Sequence, residues 1–354
     1  MPKIRIDHQD VDVPAGATVL DAAKALGIEI PTLCFREECG PLTTCMVCLV
    51  RIAGTDRYVP SCGTPAIDGQ AFESDTPEVH AMRREALELL LGDHLGDCEA
   101  PCRLAHPQHL DIPLMIRCIQ RGQFGQASAI ARAGKLPKPG EKTPPFERAC
   151  RRGRMGPPVA IEALLRFAAG CDPAGSPSDE VTCEQRPFSV IMGGLSEEEL
   201  QAFAMTAPDG GEQPRVEPAS EVYTPDEAQR EATRCLHCDC RTPVSCRLRH
   251  WAQRYDASPR KFRKKHRPFE LRREHPQLLF EPGKCILCGL CVQIAGLADA
   301  GEGMTFEGRG YDTQVKPPFT AGMDNALAEE ATARRCAEAC PTAALVMADH
   351  GEER

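Results

Sequence analysis

Residues 30–62 read IPTLCFREECGPLTTCMVCLVRIAGTDRYVPSC, and this stretch decides the fold of the N-terminal part of the chain. Cys34, Cys45 and Cys48 ride one long loop and Cys62 arrives from beyond a strand. One loop of thiolates plus one distant ligand is the plant-type way of wrapping a 2Fe–2S cluster, although the first interval is longer here than in that type. Zinc is the weaker reading, because its sites usually come as two short Cys pairs. Cys39, inside the loop, reads as a spare thiol. Upstream, KIRI (3–6) and VDV (11–13) alternate like two short strands joined by a tight turn. Thr18 then caps VLDAAKALG, whose apolar positions suit a helix ending at Gly27. A strand pair followed by a crossing helix is a β-grasp opening, with later strands expected at 47–52 and 57–59. The pattern over 77–92 predicts a helix.

Working outward, the chain has 354 residues and 20 cysteines, with 31 Pro and 29 Gly. Its start, MPKIRIDHQD, has no apolar signal core, and no run is long and apolar enough to span a bilayer. The expectation is a cytoplasmic protein without a membrane span, in which grouped cysteines hold metals rather than disulfides. A net charge of −9 disfavours general nucleic-acid binding.

Three further sulfur groups follow. His94, Cys98, Cys102 and His106-Pro107 are spaced four apart, with Cys150 far downstream. Cys235, Cys238, Cys240 and Cys246 fall within twelve residues, too short a stretch to bury four inert thiols in one apolar place. There a 4Fe–4S cluster is the better reading and a zinc knuckle the alternative. Cys285, Cys288 and Cys291 form a C-x2-C-x2-C run, and Cys336 and Cys340-Pro341 follow some 45 residues later. In bacterial ferredoxins with two clusters, the fourth cysteine of each run serves the other cluster. Ala295 stands where the first run needs its fourth cysteine, and Glu330 and Ala333 stand where the second run needs its first two. The remaining Cys285, Cys288, Cys291 and Cys340 close one 4Fe–4S site. Cys336 is left over, a candidate replacement for one of Cys235, Cys238, Cys240 or Cys246. Cys118 reads as a core thiol; Cys171 and Cys183 have no assigned role.

Residues 30–91 resemble the 2Fe–2S domain of the large iron–sulfur subunit of respiratory complex I and of related hydrogenase and formate dehydrogenase subunits. Two positions depart: Met46 stands where that family usually has arginine, and Thr43 where it usually has glycine. GDCEAPCRLAHPQHLDIPLMIRCIQRGQFGQA and ERACRRGRMGPPVAIEALLRFAA resemble the helical N-terminal domain of the glutamate synthase small subunit and of dihydropyrimidine dehydrogenase, which holds two 4Fe–4S clusters. His106 and Phe146 replace cysteines of one cluster, and a third, from an upstream Cys-Pro pair, is absent. The resemblance therefore implies one cluster lost and one kept, with Cys98, Cys102 and Cys150 as ligands. His94 is the candidate fourth, from the His-x3-Cys start of the complex I subunit. The C-terminal stretch from EAQREATRCLHCDC to CAEACPTAAL looks like the ferredoxin tail of some glutamate-synthase-like flavoproteins. Their FAD and NAD(P) region has no counterpart here; about fifty acidic, Pro/Gly-rich residues take its place.

The fold class expected is α+β and multidomain: a β-grasp 2Fe–2S ferredoxin (1–76), a helical 4Fe–4S domain (77–170), an acidic linker (171–222), a Cys-rich basic segment (223–281) and a C-terminal bacterial ferredoxin-like module (282–354). One 2Fe–2S and two to three 4Fe–4S clusters are implied, with no FAD or NAD on this chain and no catalytic residue assigned. The basic stretch 241–273, with twelve Lys and Arg against two acids, reads as a docking or intramolecular contact rather than a nucleic-acid site. The expected role is an electron relay between a flavin-containing NAD(P)H-oxidising partner and a terminal redox subunit of hydrogenase or formate dehydrogenase type. The alternatives are a flavin-dependent oxidoreductase in its own right and a zinc-stabilised nucleic-acid-binding protein.

Overall fold

Strand β1 (Lys3–Ile6) turns into β2 (Gln9–Asp12) through Asp7 and His8, both in the left-handed region with φ of 46° and 70°. Positive φ at both central residues is what a two-residue hairpin needs to match strand twist. Ile4 and Ile6 point inward, and Thr18 closes a full capping box with Asp21 at the head of the helix Val19–Ala25. Within the cysteine loop a short hairpin pairs β3 (Phe35–Arg36) with β4 (Gly40–Pro41). β5 (Leu49–Ile52), β6 (Tyr58–Pro60) and β7 (Ala71–Glu73) complete a five-stranded sheet in the order β2-β1-β7-β5-β6, with β7 parallel to β1. Ile4, Ile6, Val19, Leu20, Val50 and Phe72 form its core, into which Cys48 and Cys62 are also packed.

The computed structural model describes residues 1–135, 144–173, 188–205, 207, 209–242, 245–263, 269–273, 275, 277–298, 303–316 and 330–348. The chain divides into two compact units: Met1–Leu95, Ser245–Arg267 and Arg272–Ala348 form one, and Gly96–Val244, Pro268–Leu271 and Asp349–Arg354 the other. This differs from the linear series expected from sequence. The helix Pro77–Gly92 belongs with the N-terminal sheet, because its buried Arg83 donates through Nε to the Leu49 carbonyl of β5 (2.9 Å) and through Nη1 to the Tyr255 hydroxyl (2.9 Å). Part of the basic stretch joins it there: Lys261 pairs with Glu88 at 2.6 Å, and Arg254 with Glu29. In the same unit Leu278–Phe280 pairs with Leu345–Met347, and the helix Leu290–Leu297 packs on Glu330–Ala339.

The second unit is helical among its described residues: Pro101–Ala105, Ile112–Gln120, Phe124–Ala133, Pro145–Arg148, Ile161–Gly170, Glu197–Ala204 and Pro225–Ala232. Asp111, Ser196 and Thr224 each accept a first-turn N–H, which satisfies donors that a helix start leaves open. Ile112, Ile116, Ile130, Leu164, Leu165 and Ala228 build the core, and Cys118 lies in it. Cys183 and residues 264–268 of the basic stretch lie outside the described residues.

Candidate metal centres

Cys34, Cys45, Cys48 and Cys62 are each at most 4% exposed, and the Cys48 and Cys62 sulfurs are 3.5 Å apart. Within the Cys34–Cys45 pair, a hydrogen bond from the Cys45 thiol pushes Cys34 down to about 5 while Cys45 is pushed up. Cys48 is pushed down to about 7 by its hydrogen bond with Cys62, whose own value is pushed up by that bond and by burial. In each pair one thiol is thus eased toward the thiolate by its partner's hydrogen bond, while the partner holds its proton more tightly. Such a donor set fits an iron–sulfur cluster, since thiolates are its ligands and binding releases their protons.

The loop is bent to present these sulfurs by two non-glycine residues in the left-handed region, Thr43 (φ 53°) and Met46 (φ 55°). For β-branched threonine this conformation is strained. Gly63 makes room for it: a Cβ there would lie 2.6 Å from Thr43 Cγ2. Gly63→Ala is therefore expected to weaken cluster retention, and adding Thr43→Gly to restore it, read as visible absorbance per chain. Equal retention in the single variant and the parent would refute the coupling.

A second constellation lies in the same unit. Cys285 follows the turn Pro282–Lys284, Cys288 and Cys291 flank the start of the helix Leu290–Leu297, and Cys336 and Cys340 close the helix Glu330–Ala339. Gly289 (φ 82°) carries the chain from loop into helix between the first two turns of sulfur ligands. All five cysteines line one small, mainly apolar cavity. Burial, reinforced by the neighbouring thiols, pushes Cys288 and Cys291 up, and burial pushes Cys336 up to about 12. Cys336 donates toward the Cys291 carbonyl at 3.7 Å. It accompanies this group and belongs to the unit that does not contain Cys235, Cys238 and Cys240. Ala295 and Ala333, where a second run would need cysteines, are buried on the two helices that pack together.

The helical unit regroups the remaining candidates. Cys102, Cys150, Cys235 and Cys238 come from three places in the sequence, and each is pushed up chiefly by burial, Cys235 to about 12. Cys102 feels the charges of the other three, and Cys238 those of Cys235 and Cys150. Buried thiols that raise one another's proton affinity stay neutral on their own and give up their protons only where a metal centre replaces them. Arg151 donates to Cys238 and pairs with Asp97, while Arg117 holds Asp239 through two bonds of 3.0 and 2.8 Å.

The expected groupings differ from this one. Cys98 is engaged by Val190, which donates to its sulfur (3.3 Å) and accepts from its N–H (3.0 Å). Cys246 belongs to the first unit, where its sulfur caps the helix Arg247–Arg254 by accepting from Arg249 N–H at 3.5 Å. Cys240 is buried in the second unit. His94 is in the first unit, apart in membership from Cys98, Cys102 and Cys150; its ring is buried, Nδ1 has no partner, and burial pushes it down to about 4. The rings of His106 and Phe146, which stand where the resemblance places cluster cysteines, instead pack on each other with centroids 5.1 Å apart. Spacing along the chain does not show that Cys235-x2-Cys238 comes within electrostatic reach of Cys102 and Cys150.

Among the described residues, no group of three or more His, Cys, Asp or Glu side chains is arranged to hold a single metal ion.

Comparison with known proteins agrees at the N-terminus. The 2Fe-2S iron-sulfur cluster binding domain family matches residues 2–77. A component of the NADH-quinone oxidoreductase of Rhizobium meliloti is 46% identical over 98 residues, 28% of this chain and 12% of that protein. NADP-reducing hydrogenase subunit HndD of Solidesulfovibrio fructosivorans is 43% identical over 103 residues, 28% of this chain and 18% of that protein. The chain thus spans less than a fifth of the length of these curated relatives. A crystal structure of NAD+-reducing NiFe hydrogenase in the H2-reduced state superposes with a TM-score of 0.51 at 20% identity, covering 99% of this chain and 88% of that one, which establishes a shared fold. Residues 2–77 are therefore a 2Fe–2S iron–sulfur domain, homologous to those of NADH-quinone oxidoreductases and NADP-reducing hydrogenases.

Proposed function

We propose that the chain is an electron-relay subunit of a multi-subunit oxidoreductase, carrying one 2Fe–2S and two 4Fe–4S clusters. The 2Fe–2S ligands are Cys34, Cys45, Cys48 and Cys62. Cys285, Cys288, Cys291 and Cys340 hold one 4Fe–4S cluster in a C-terminal ferredoxin-like module, and Cys102, Cys150, Cys235 and Cys238 hold the other in a helical domain of the glutamate synthase small-subunit kind. Bound clusters would supply one-electron transfer, and the protein would space them, shield them and tune them through hydrogen bonds and burial.

The observation that carries this reading is the contact between the two constellations of the first unit. Thr44, next to Cys45, donates its hydroxyl to the Cys288 carbonyl at 3.1 Å, and Cys288 lies within electrostatic reach of Cys34. Ligand loops of two centres that touch give an electron a short step between them. Substrate chemistry then belongs to other chains: a flavin-containing NAD(P)H-oxidising subunit on one side and a terminal redox subunit of hydrogenase or formate dehydrogenase type on the other. No helix among the described residues is long and apolar enough to cross a membrane, and a cytoplasmic location is part of the proposal.

Anaerobically purified protein is expected to hold about ten iron atoms per chain with matching acid-labile sulfide and no flavin. Stoichiometric zinc in place of iron would overturn the reading.

A further inference from the structure

Arg247, the first residue of the helix Arg247–Arg254, reaches into the seam between the two constellations of the first unit. Its Nη2 donates to the Leu33 carbonyl at 3.1 Å and to the Ala339 carbonyl at 3.4 Å. Leu33 immediately precedes Cys34, and Ala339 immediately precedes Cys340. One guanidinium therefore ties a ligand loop of one centre to a ligand loop of the other. Its charge is felt by Cys288 and Cys340 on one side and by Cys45 on the other. The placement is not one that helix stability favours. A cation in the first turn opposes the helix dipole, by about 0.3–1 kcal/mol at exposed sites, and Arg36 adds like-charge repulsion from nearby. Burial and Arg36 press Arg247 below the ordinary arginine value, yet a guanidinium stays charged in proteins.

We propose that Arg247 is a positioning residue shared by both centres, whose fixed charge raises their reduction potentials together while its fork holds their ligand loops in register. The proposal rests on the cluster reading above. Reduction adds a negative charge to either centre, and a half-buried cation beside both favours that state in each. It also weakens the repulsion between two reduced centres, so that both can hold an electron at once.

The test is a potentiometric titration of the full chain, monitored by electron paramagnetic resonance, in the parent and in Arg247→Gln, Arg247→Lys and Arg254→Gln. Arg247→Gln keeps a donor without the charge and is expected to move both midpoints to more negative values. Arg247→Lys keeps the charge and is expected to stay near the parent. Arg254→Gln removes an exposed cation from the other end of the same helix and should leave both midpoints in place. The proposal is overturned by unchanged midpoints in Arg247→Gln, by a shift confined to one centre, or by Arg247→Lys or Arg254→Gln shifting as far as Arg247→Gln. If Arg247→Gln loses its iron while Arg247→Lys keeps iron and midpoints, the requirement for charge stands; loss of iron from both makes the residue structural and overturns it. Parent protein without iron would instead refute the cluster reading itself.

Discussion

Cys238→Ala is expected to remove about four iron atoms per chain and one 4Fe–4S signal, as are Cys102→Ala and Cys150→Ala. Cys98→Ala and Cys246→Ala should retain full iron. The separation follows from what each sulfur touches. Cys102, Cys150, Cys235 and Cys238 act on one another electrostatically inside the helical unit, and Arg151 supplies a hydrogen bond to Cys238. Cys98 is absent from the main charges that Cys102 and Cys238 feel, and Cys246 belongs to the other unit, where it caps a helix. Losing the cap is expected to cost about 1 kcal/mol of stability without touching the cluster. Iron and sulfide analysis of the five variants, with electron paramagnetic resonance of the reduced proteins, decides the matter. Loss of one cluster from Cys98→Ala or Cys246→Ala, with retention in Cys102→Ala, would restore the contiguous groupings that the bare spacing suggests.

Arg234→Ala is expected to destabilise the helical unit by about 3–5 kcal/mol, lowering its apparent melting temperature by on the order of 10 °C. Arg234 is 1% exposed and sits beside Cys235. Its guanidinium donates to Glu231 (2.6 Å) and to the carbonyls of Pro157 (2.8 Å), Pro158 (3.2 Å) and Gln213 (3.1 Å). Glu231 in turn accepts from the N–H groups of Ala160 and Val216, each at 2.8 Å. Many buried ion pairs can be exchanged for apolar residues at little cost. This one differs, because it also satisfies three carbonyls and two N–H groups of neighbouring segments, each expensive to leave unpaired in the interior. A double-mutant cycle with Glu231→Gln should show strong coupling between the two sites. Melting followed by far-UV circular dichroism checks both, and a change of only about a degree would contradict the argument.

How far the sequence could be read depended on whether the information was local. The helix Pro77–Gly92 was legible because Thr76 caps it and Val79, Leu87 and Leu91 recur on one face. The 2Fe–2S domain was legible because Cys34, Cys45, Cys48 and Cys62 share a single loop-and-strand segment. Spacing failed where sites draw on distant segments. Nothing between Cys150 and Cys235 announces that one lies within electrostatic reach of the other, since 85 positions separate them and helix packing brings them together. The pattern also hid Arg83: a charged residue on the apolar face of its helix looks like an interruption, and only its bonds to Leu49 and Tyr255 explain its burial. The same holds for Arg247, which the sequence offered as one more cation in a basic run.

The first unit is built from both ends of the chain, with residues 96–244 inserted between its parts. Synthesis from the N-terminus therefore makes Cys102, Cys150, Cys235 and Cys238 while Cys285 to Cys340 are still to come. The N-terminal domain must wait, with one side of its seam uncovered, until Arg247 and Cys288 arrive to close it. Maturation thus has a built-in order, in which the seam closes only after both of its sides have been made.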